Sequence, residues 1–79
     1  MKMKEGHSTT DFRLELGAML AEARKQRGLT QKELAEILDM RQPNLSRIEQ
    51  GKYMSVDALG RYLSAIGAKL EVKLLNIQP

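Results

Sequence analysis

The stretch that decides the fold is 24–52, which reads RKQRGLTQKELAEILDMRQPNLSRIEQGK. Within it, Thr30 and Glu33 form the pattern T-x-x-E, in which each side chain hydrogen-bonds a free backbone N–H at the start of a helix. Apolar residues at helical spacing follow this pattern, and they are Leu34, Ala35, Ile37 and Leu38. The two signals together predict a short helix over residues 31–38.

A second short helix follows a break at 39–40. We predict it over about 42–50, because a proline such as Pro43 is tolerated in a first turn and Gly51 is a natural helix end. Two short helices joined by a tight turn have the geometry of a helix-turn-helix, whose second helix enters the major groove of DNA. On helix lengths alone, a plain helical bundle is an open alternative.

The segment before this stretch predicts a longer first helix. It runs from Thr9 or Asp11 to Arg27, with Ser8 and Asp11 resembling a capping box and Gly28 as a left-handed cap. We expect one apolar stripe of this helix, Met19 included, to face the core. The stripe consists of Phe12, Leu16, Met19, Leu20 and Ala23.

The segment after this stretch predicts a fourth helix and then a strand. The helix covers about 56–66, with Ser55 as its N-cap and Gly67 at its end. Residues 69–74 then alternate polar and apolar side chains, which indicates a half-buried strand. A single strand cannot satisfy its own backbone groups, so the simplest partner is the same strand of a second copy.

Length and composition indicate one small globular domain. The chain has 79 residues, of which 42% are hydrophobic and 29% are charged. We divide it into a flexible tail over 1–8, a helical domain over 9–67, and a dimerisation strand with a loose end over 68–79. The sequence contains no apolar run of the roughly 20 residues that cross a bilayer, and we expect a cytoplasmic protein.

The residue types present argue against catalysis and metal binding. The chain has no cysteine and one histidine, so a thiolate zinc site, a cysteine nucleophile and a multi-histidine site are excluded. No pair of carboxylates and no serine beside a base suggests an active site. We therefore expect neither an enzyme nor a cofactor.

The positive charge is concentrated in the middle of the chain. The net charge is +3, and residues 24–52 hold seven basic and four acidic residues, so the remainder sums to zero. The positive excess therefore sits in the middle of the chain, over a segment that begins at the end of the predicted first helix and includes the two short helices.

The same stretch resembles the Cro/phage-repressor (XRE) family of helix-turn-helix domains. The resemblance extends from about Leu16 to Ile66, and it is specific as a combined pattern. The matching fragments are Gly28-Leu29-Thr30-Gln31, Glu33-Leu34-Ala35, Gln42-Pro43, Leu45-Ser46-Arg47-Ile48-Glu49 and Gly51-Lys52. It implies a mainly α, lambda-repressor-like domain of four or slightly more helices that binds double-stranded DNA.

The resemblance also implies roles for individual residues. The positions that face the groove, with side chains suited to reading adenine or guanine, are Gln42, Asn44 and Arg47. The expected phosphate contacts are Gln31, Arg41, Ser46 and Lys52. Solvation and helix-start chemistry are the plain alternatives for these polar residues.

A structural ion pair and two departures from the family pattern follow from the same comparison. Arg24 and Glu49 match an internal pair that ties the first helix to the recognition helix, and the sequence leaves its burial open. Asp39 stands where the family usually has glycine at the turn. Arg41 stands where a serine or threonine commonly caps the recognition helix.

The C-terminal strand suggests how the protein assembles. An XRE domain followed by a short strand resembles the antitoxins of the HipB and HigA type, and HipB-like proteins dimerise through such a strand. The dimer strand would place its apolar face, Leu70, Val72 and Leu74, on the helices of both subunits. We therefore predict a homodimeric repressor of a palindromic operator, as the antitoxin of a type II toxin–antitoxin pair with a cognate toxin. A free-standing phage-like regulator and an interaction module that does not bind DNA are the alternatives.

Overall fold

The computed structural model describes residues 9–74 and has four helices in this range. Their bounds are α1 Thr9–Gln26, α2 Gln31–Ile37, α3 Gln42–Glu49 and α4 Val56–Ile66. The prediction of a mainly α fold with four helices is confirmed. The tail predicted over 1–8, its Ser8 cap and the loose end after residue 74 lie outside the described residues.

The helix ends carry the caps that the sequence predicts. The Thr30 hydroxyl accepts a hydrogen bond from the Glu33 N–H at 3.0 Å, and the Glu33 carboxylate accepts one from the Thr30 N–H at 2.9 Å. The Ser55 hydroxyl accepts from the Ala58 N–H at 3.0 Å. Arg41 begins α3 without a side-chain cap. Each satisfied N–H is one that the helix itself leaves without a partner.

In the turn between α2 and α3, aspartate takes the left-handed conformation at the position where the family pattern has glycine. Asp39 has φ 53°, a conformation that aspartate tolerates better than most side chains. The Met40 N–H donates to the Ala35 carbonyl at 2.9 Å and closes the turn. The departure at position 39 therefore leaves the tight connection intact.

The core lies between the four helices, with α3 packed against both α1 and α2 and with α4 packed against α1. Its largest fully buried side chains are Leu34, Leu45, Ile48 and Tyr62. Burying one such side chain contributes about 1.5–3 kcal/mol, so these few residues supply much of the stability of a small domain.

Close backbone contact sets how α1 crosses the end of α3. A Cβ atom built on Gly17 would lie 2.5 Å from the backbone oxygen of Glu49. Gly51, with φ 75°, is similarly close to the backbone of Arg13. Glycine is required at both positions because any side chain would push the two segments apart.

The buried face of α1 differs from the predicted stripe. Leu16 and Leu20 are buried as expected, but Phe12 is 47% exposed and Met19 is 39% exposed. The expectation that Met19 lies in the core is therefore wrong. The buried face is turned toward Gly17 and Arg24, because the contact through Gly17 brings that side of α1 onto α3.

The segment after α4 has no regular structure in the described single chain. Gly67 ends α4 in the left-handed conformation with φ 66°. Residues 69–74 are exposed, and no strand occurs between residues 9 and 74. The strand across a dimer is not shown by this single chain and stays a prediction.

Two glycine-to-alanine variants separate close packing from helix propensity. We expect Gly17→Ala to lower the free energy of unfolding by about 1–3 kcal/mol, because its methyl group collides with the backbone of α3. Gly60 is the matched control, since it lies within α4 and its Cβ would meet nothing within 4 Å. We expect Gly60→Ala to raise the free energy of unfolding by about 0.5–1 kcal/mol. Urea denaturation measures both, and a stabilised Gly17→Ala variant would contradict this packing.

Candidate nucleic-acid interface

The eight-residue helix α3 has one buried face and one exposed face. Leu45, Ile48 and Glu49 are buried, which fixes the inward side of the helix. Asn44 and Arg47 are exposed and lie one turn apart, so they project from the same side. Gln42 is exposed at the first position of the helix. The three residues predicted to read bases are therefore all available on the surface.

The four residues predicted to bind phosphates are placed differently. Arg41 and Lys52 are exposed just before and just after α3. Ser46 is half-buried, and its hydroxyl accepts a hydrogen bond from the Gln50 amide at 2.7 Å. Gln31 is half-buried, and its Nε2 donates to Glu49 Oε1 at 2.9 Å. Two cations thus flank α3, whereas Ser46 and Gln31 already form hydrogen bonds with other side chains of the protein.

The arginines divide according to the partners of their guanidinium groups. Arg24 binds the Glu49 carboxylate, Arg27 donates to the Ile66 carbonyl, and Arg61 donates to the Leu38 carbonyl. Within residues 9–74, no side-chain hydrogen bond or ion pair involves Arg41 or Arg47. These two cations of the α3 region keep their donors available for an anionic or base partner.

The Glu49 carboxylate receives a hydrogen bond from each of the other three helices, and we call this group of residues the Glu49 hub. Arg24 of α1 donates from Nε to Oε2 at 2.8 Å and from Nη2 to Oε1 at 3.1 Å. Gln31 of α2 donates to Oε1, and the Tyr62 hydroxyl of α4 donates to Oε2 at 2.5 Å. The predicted Arg24–Glu49 pair is therefore present and buried, which the sequence alone left open.

The protonation states of the hub follow from these contacts. Burial alone would raise the pKa of Glu49, but hydrogen bonds from Arg24, Gln31 and Tyr62 outweigh it and hold that pKa below its ordinary value. The Glu49 carboxylate raises the pKa of Arg24. Burial, with the hydrogen bond to Glu49, raises the pKa of Tyr62. The hub therefore holds one carboxylate, one guanidinium and one neutral phenol.

An open depression lies beside Asn44 and Arg47 on the exposed face of α3, and we call it the notch. Its volume is about 340 Å³, and it is lined by Met40, Asn44, Arg47, Ile48 and Tyr53. Met40 precedes α3 and Tyr53 follows it. The two loops that carry them form the sides of the notch, and α3 forms its base.

Sequence reasoning missed two parts of this region. No local sequence signal identifies the Tyr62 hydroxyl as a partner of Glu49. The notch was missed because it joins Met40 and Tyr53, which lie on opposite sides of α3 in the sequence. The usable sequence signal was Asp39 at the turn position. A left-handed residue there sets the direction in which the chain continues through Met40 into α3.

Two negative findings apply to the described residues. Between residues 9 and 74, no group of three His, Asp or Glu side chains is placed to hold a metal ion. None of the helices in this range combines the length and the apolar character that a membrane span requires.

Acid should destabilise the fold through Glu49. Because folding lowers its pKa, this carboxylate stabilises the fold above the ordinary value of about 4.3, and that contribution disappears as pH falls through the lowered value. We expect Glu49→Gln to lower the free energy of unfolding at pH 7 by about 3–5 kcal/mol, because Arg24 is left buried and unpaired. We also expect a flatter decline below about pH 4.3 in urea denaturation series.

Glu33→Gln is the matched control for this measurement. Its pKa is also lowered, by the hydrogen bond from the Thr30 backbone, but the side chain is exposed and glutamine preserves the capping pattern. We expect a much smaller effect at pH 7. An acid decline in Glu49→Gln as steep as that of the unmodified chain would show that Glu49 is not its source.

Comparison with known proteins places this fold in a family. A family model described as a helix-turn-helix domain matches residues 3–74. The chain is 39% identical over 66 residues to the ImmF control region 10 kDa protein of Bacillus phage phi105. The aligned region covers 81% of this chain and 73% of that protein. The crystal structure of the clp gene regulator ClgR from C. glutamicum is similar, with a TM-score of 0.69 and 36% identity, covering 73% of this chain and 76% of that chain. The chain therefore belongs to the helix-turn-helix domain family, with an XRE-like core.

Proposed function

We propose that this protein is a sequence-specific DNA-binding transcriptional regulator that inserts α3 into the major groove. The observation that carries the proposal is the exposed pair Asn44 and Arg47, one turn apart on an α3 whose opposite face is buried. An asparagine suits adenine and an arginine suits guanine, in both cases through two hydrogen bonds to the base edge. The names of the phage control-region protein and of the gene regulator ClgR support a regulatory role.

Phosphate contacts would position α3 in the groove. Arg41 and Lys52 lie at its two ends, so together they bracket the helix along the DNA backbone. Gln31 can contribute while it remains bound to Glu49, because its amide nitrogen carries two hydrogens and the hub uses one. Ser46 is the weakest candidate, since the residue is half-buried and its hydroxyl already accepts a hydrogen bond from Gln50.

A homodimer is the finer part of the proposal. The apolar side chains of the C-terminal segment are increasingly exposed along the chain, with Leu70 at 37%, Val72 at 71% and Leu74 at 91%. Pairing this segment with its copy would satisfy the backbone groups of both and cover these side chains. Two α3 helices related by a two-fold axis would then read two half-sites of a palindromic operator.

Charge favours one register for this strand pair. In an antiparallel pair, an axis at Val72 sets Glu71 opposite Lys73 and Leu70 opposite Leu74. An axis at Glu71 would set Glu71 against its own copy, and an axis at Lys73 would do the same for Lys73, and like charges directly opposite each other are destabilising. We therefore propose the axis at Val72.

An axis at Leu70 is the remaining alternative. It also pairs opposite charges, Lys69 with Glu71, but it moves the overlap back toward Gly67 at the end of α4. Leu74 would then lie opposite that helix end rather than opposite an apolar residue.

The biological setting separates two versions of the regulator. The C-terminal strand motivates an antitoxin that represses its own operator and binds a toxin. The phage control-region relative instead favours a free-standing regulator. A toxin-like reading frame beside the gene supports the first version, and its absence favours the second.

Base contacts and phosphate contacts should respond differently to mutation. We expect Arg47→Ala to weaken binding to a selected duplex by about 1–3 kcal/mol and to relax specificity at one base position. We expect Lys52→Ala to weaken binding to all sequences alike and to reduce the salt dependence. Fluorescence anisotropy at several salt concentrations measures both. Unchanged specificity in Arg47→Ala, or no duplex binding by the full chain, would refute the proposed interface.

The proposed register can be tested by oxidative crosslinking. A residue on the two-fold axis faces its own copy, so we expect Val72→Cys to form the intermolecular disulfide most readily, as the native chain has no cysteine. Leu70→Cys and Leu74→Cys are matched controls, because each would face the other position. Non-reducing electrophoresis gives the yields. Preferred crosslinking at position 70, or none along 69–75, would exclude the register.

A further inference from the structure

Backbone hydrogen bonds hold the two loop residues on either side of the notch. On one side, the Met40 N–H is held by the Ala35 carbonyl at 2.9 Å. On the other side, the Tyr53 N–H donates to the Arg47 carbonyl at 3.3 Å, which places Tyr53 directly after α3. The floor is Ile48, which is 1% exposed and belongs to the core. The backbone on both sides of the notch is therefore held by hydrogen bonds before any ligand binds.

The notch combines apolar surface with hydrogen-bonding groups. Met40 and the Tyr53 ring present apolar surface above the buried Ile48, whereas Asn44 and Arg47 present hydrogen-bonding groups. Tyr53 is 54% exposed, so its ring is accessible to a ligand that approaches the outer face of α3. An apolar surface beside two base readers fits a ligand whose methyl group lies next to hydrogen-bonding atoms.

We propose that the notch receives the 5-methyl group of a thymine in the operator, and this inference rests on the DNA-binding function proposed above. Thymine presents a methyl group in the major groove, and its partner adenine presents the N6 and N7 atoms that an asparagine can bind. Asn44 would therefore hydrogen-bond an adenine while the thymine of the same or the adjacent base pair enters the notch. Met40 and Tyr53 become specificity-determining residues, although neither lies in α3.

Thymine and uracil present the same hydrogen-bonding groups and differ only in the 5-methyl group, so the notch would distinguish them by apolar contact alone. Covering one methyl-sized group contributes about 0.8 kcal/mol, which corresponds to about a fourfold difference in affinity for each half-site. Hydrogen bonds to the adenine are unaffected when the methyl group is removed, so the two contributions can be measured separately.

The experiment replaces thymine by deoxyuridine, one position at a time, in a duplex selected from a random library with the full chain. Deoxyuridine keeps every hydrogen-bonding group of thymine and removes the methyl group. We expect about a fourfold loss of affinity at one position in each half-site. In Tyr53→Ala, which removes one wall, we expect the same replacement to change affinity less than twofold. Ile37→Ala is the matched control, because Ile37 is exposed and apolar but does not line the notch.

Each outcome decides the inference. A loss at one thymine that disappears in Tyr53→Ala and persists in Ile37→Ala supports it. No loss at any thymine, or a loss of equal size in Tyr53→Ala, overturns it while specific binding of the duplex leaves the proposed function standing. Failure to select any duplex overturns the proposed function and this inference together. Met40→Ala provides a second test of the opposite wall, with circular dichroism to verify that the fold is retained.

Discussion

The fold depends on one buried carboxylate that connects all four helices. Glu49 at the end of α3 accepts hydrogen bonds from Arg24 of α1, Gln31 of α2 and Tyr62 of α4. Four donors reach its two oxygens, which matches the roughly four lone-pair sites of a carboxylate. A buried charge that lacked these partners would cost several kcal/mol, so arrangements of the helices that leave Glu49 without them are disfavoured.

The hub is better understood as a device for orientation than as a source of stability. Burying an ion pair costs about as much desolvation free energy as the pair returns, and apolar residues of equal size often stabilise a core as well. Apolar contacts are tolerant of small rotations, however, whereas hydrogen bonds to Glu49 are directional. Gly17 adds a second constraint at the same place, because it brings the backbone of α1 against the Glu49 carbonyl. Side chain and backbone together fix the rotation of α3 about its own axis.

Local signals in the sequence predicted the helices, and contacts between helices set the limits of that prediction. Thr30, Glu33 and Ser55 mark helix starts by chemistry that acts within one turn, so their roles could be inferred directly. The rotation of α1 could not, because apolar spacing defines a stripe but not which edge of it turns inward. The close approach at Gly17 decides that edge, and it exposes Phe12 and Met19.

The candidate site shows the same division. Resemblance indicated Asn44, Arg47 and the Arg24–Glu49 pair, since each belongs to the quoted pattern. Tyr62 lies 13 residues beyond Glu49, and the notch joins residues on both sides of α3, so neither follows from spacing. Both arise when helices and turns meet.

The two sides of α3 differ in whether their charged groups already have partners within the protein. On the buried side, hydrogen bonds from four donors fill the acceptor sites of Glu49. This carboxylate therefore needs no further donor from the residues around it. Outside, Arg41 and Arg47 have no side-chain partner among the described residues. A side chain with no internal partner exchanges only water for a ligand when it binds, so no hydrogen bond within the protein is lost. A helix that became ordered only on binding would lower the affinity by the free energy of that ordering. Because the hub fixes α3 before any ligand arrives, the free energy of contacts made by the outer face is available for recognition.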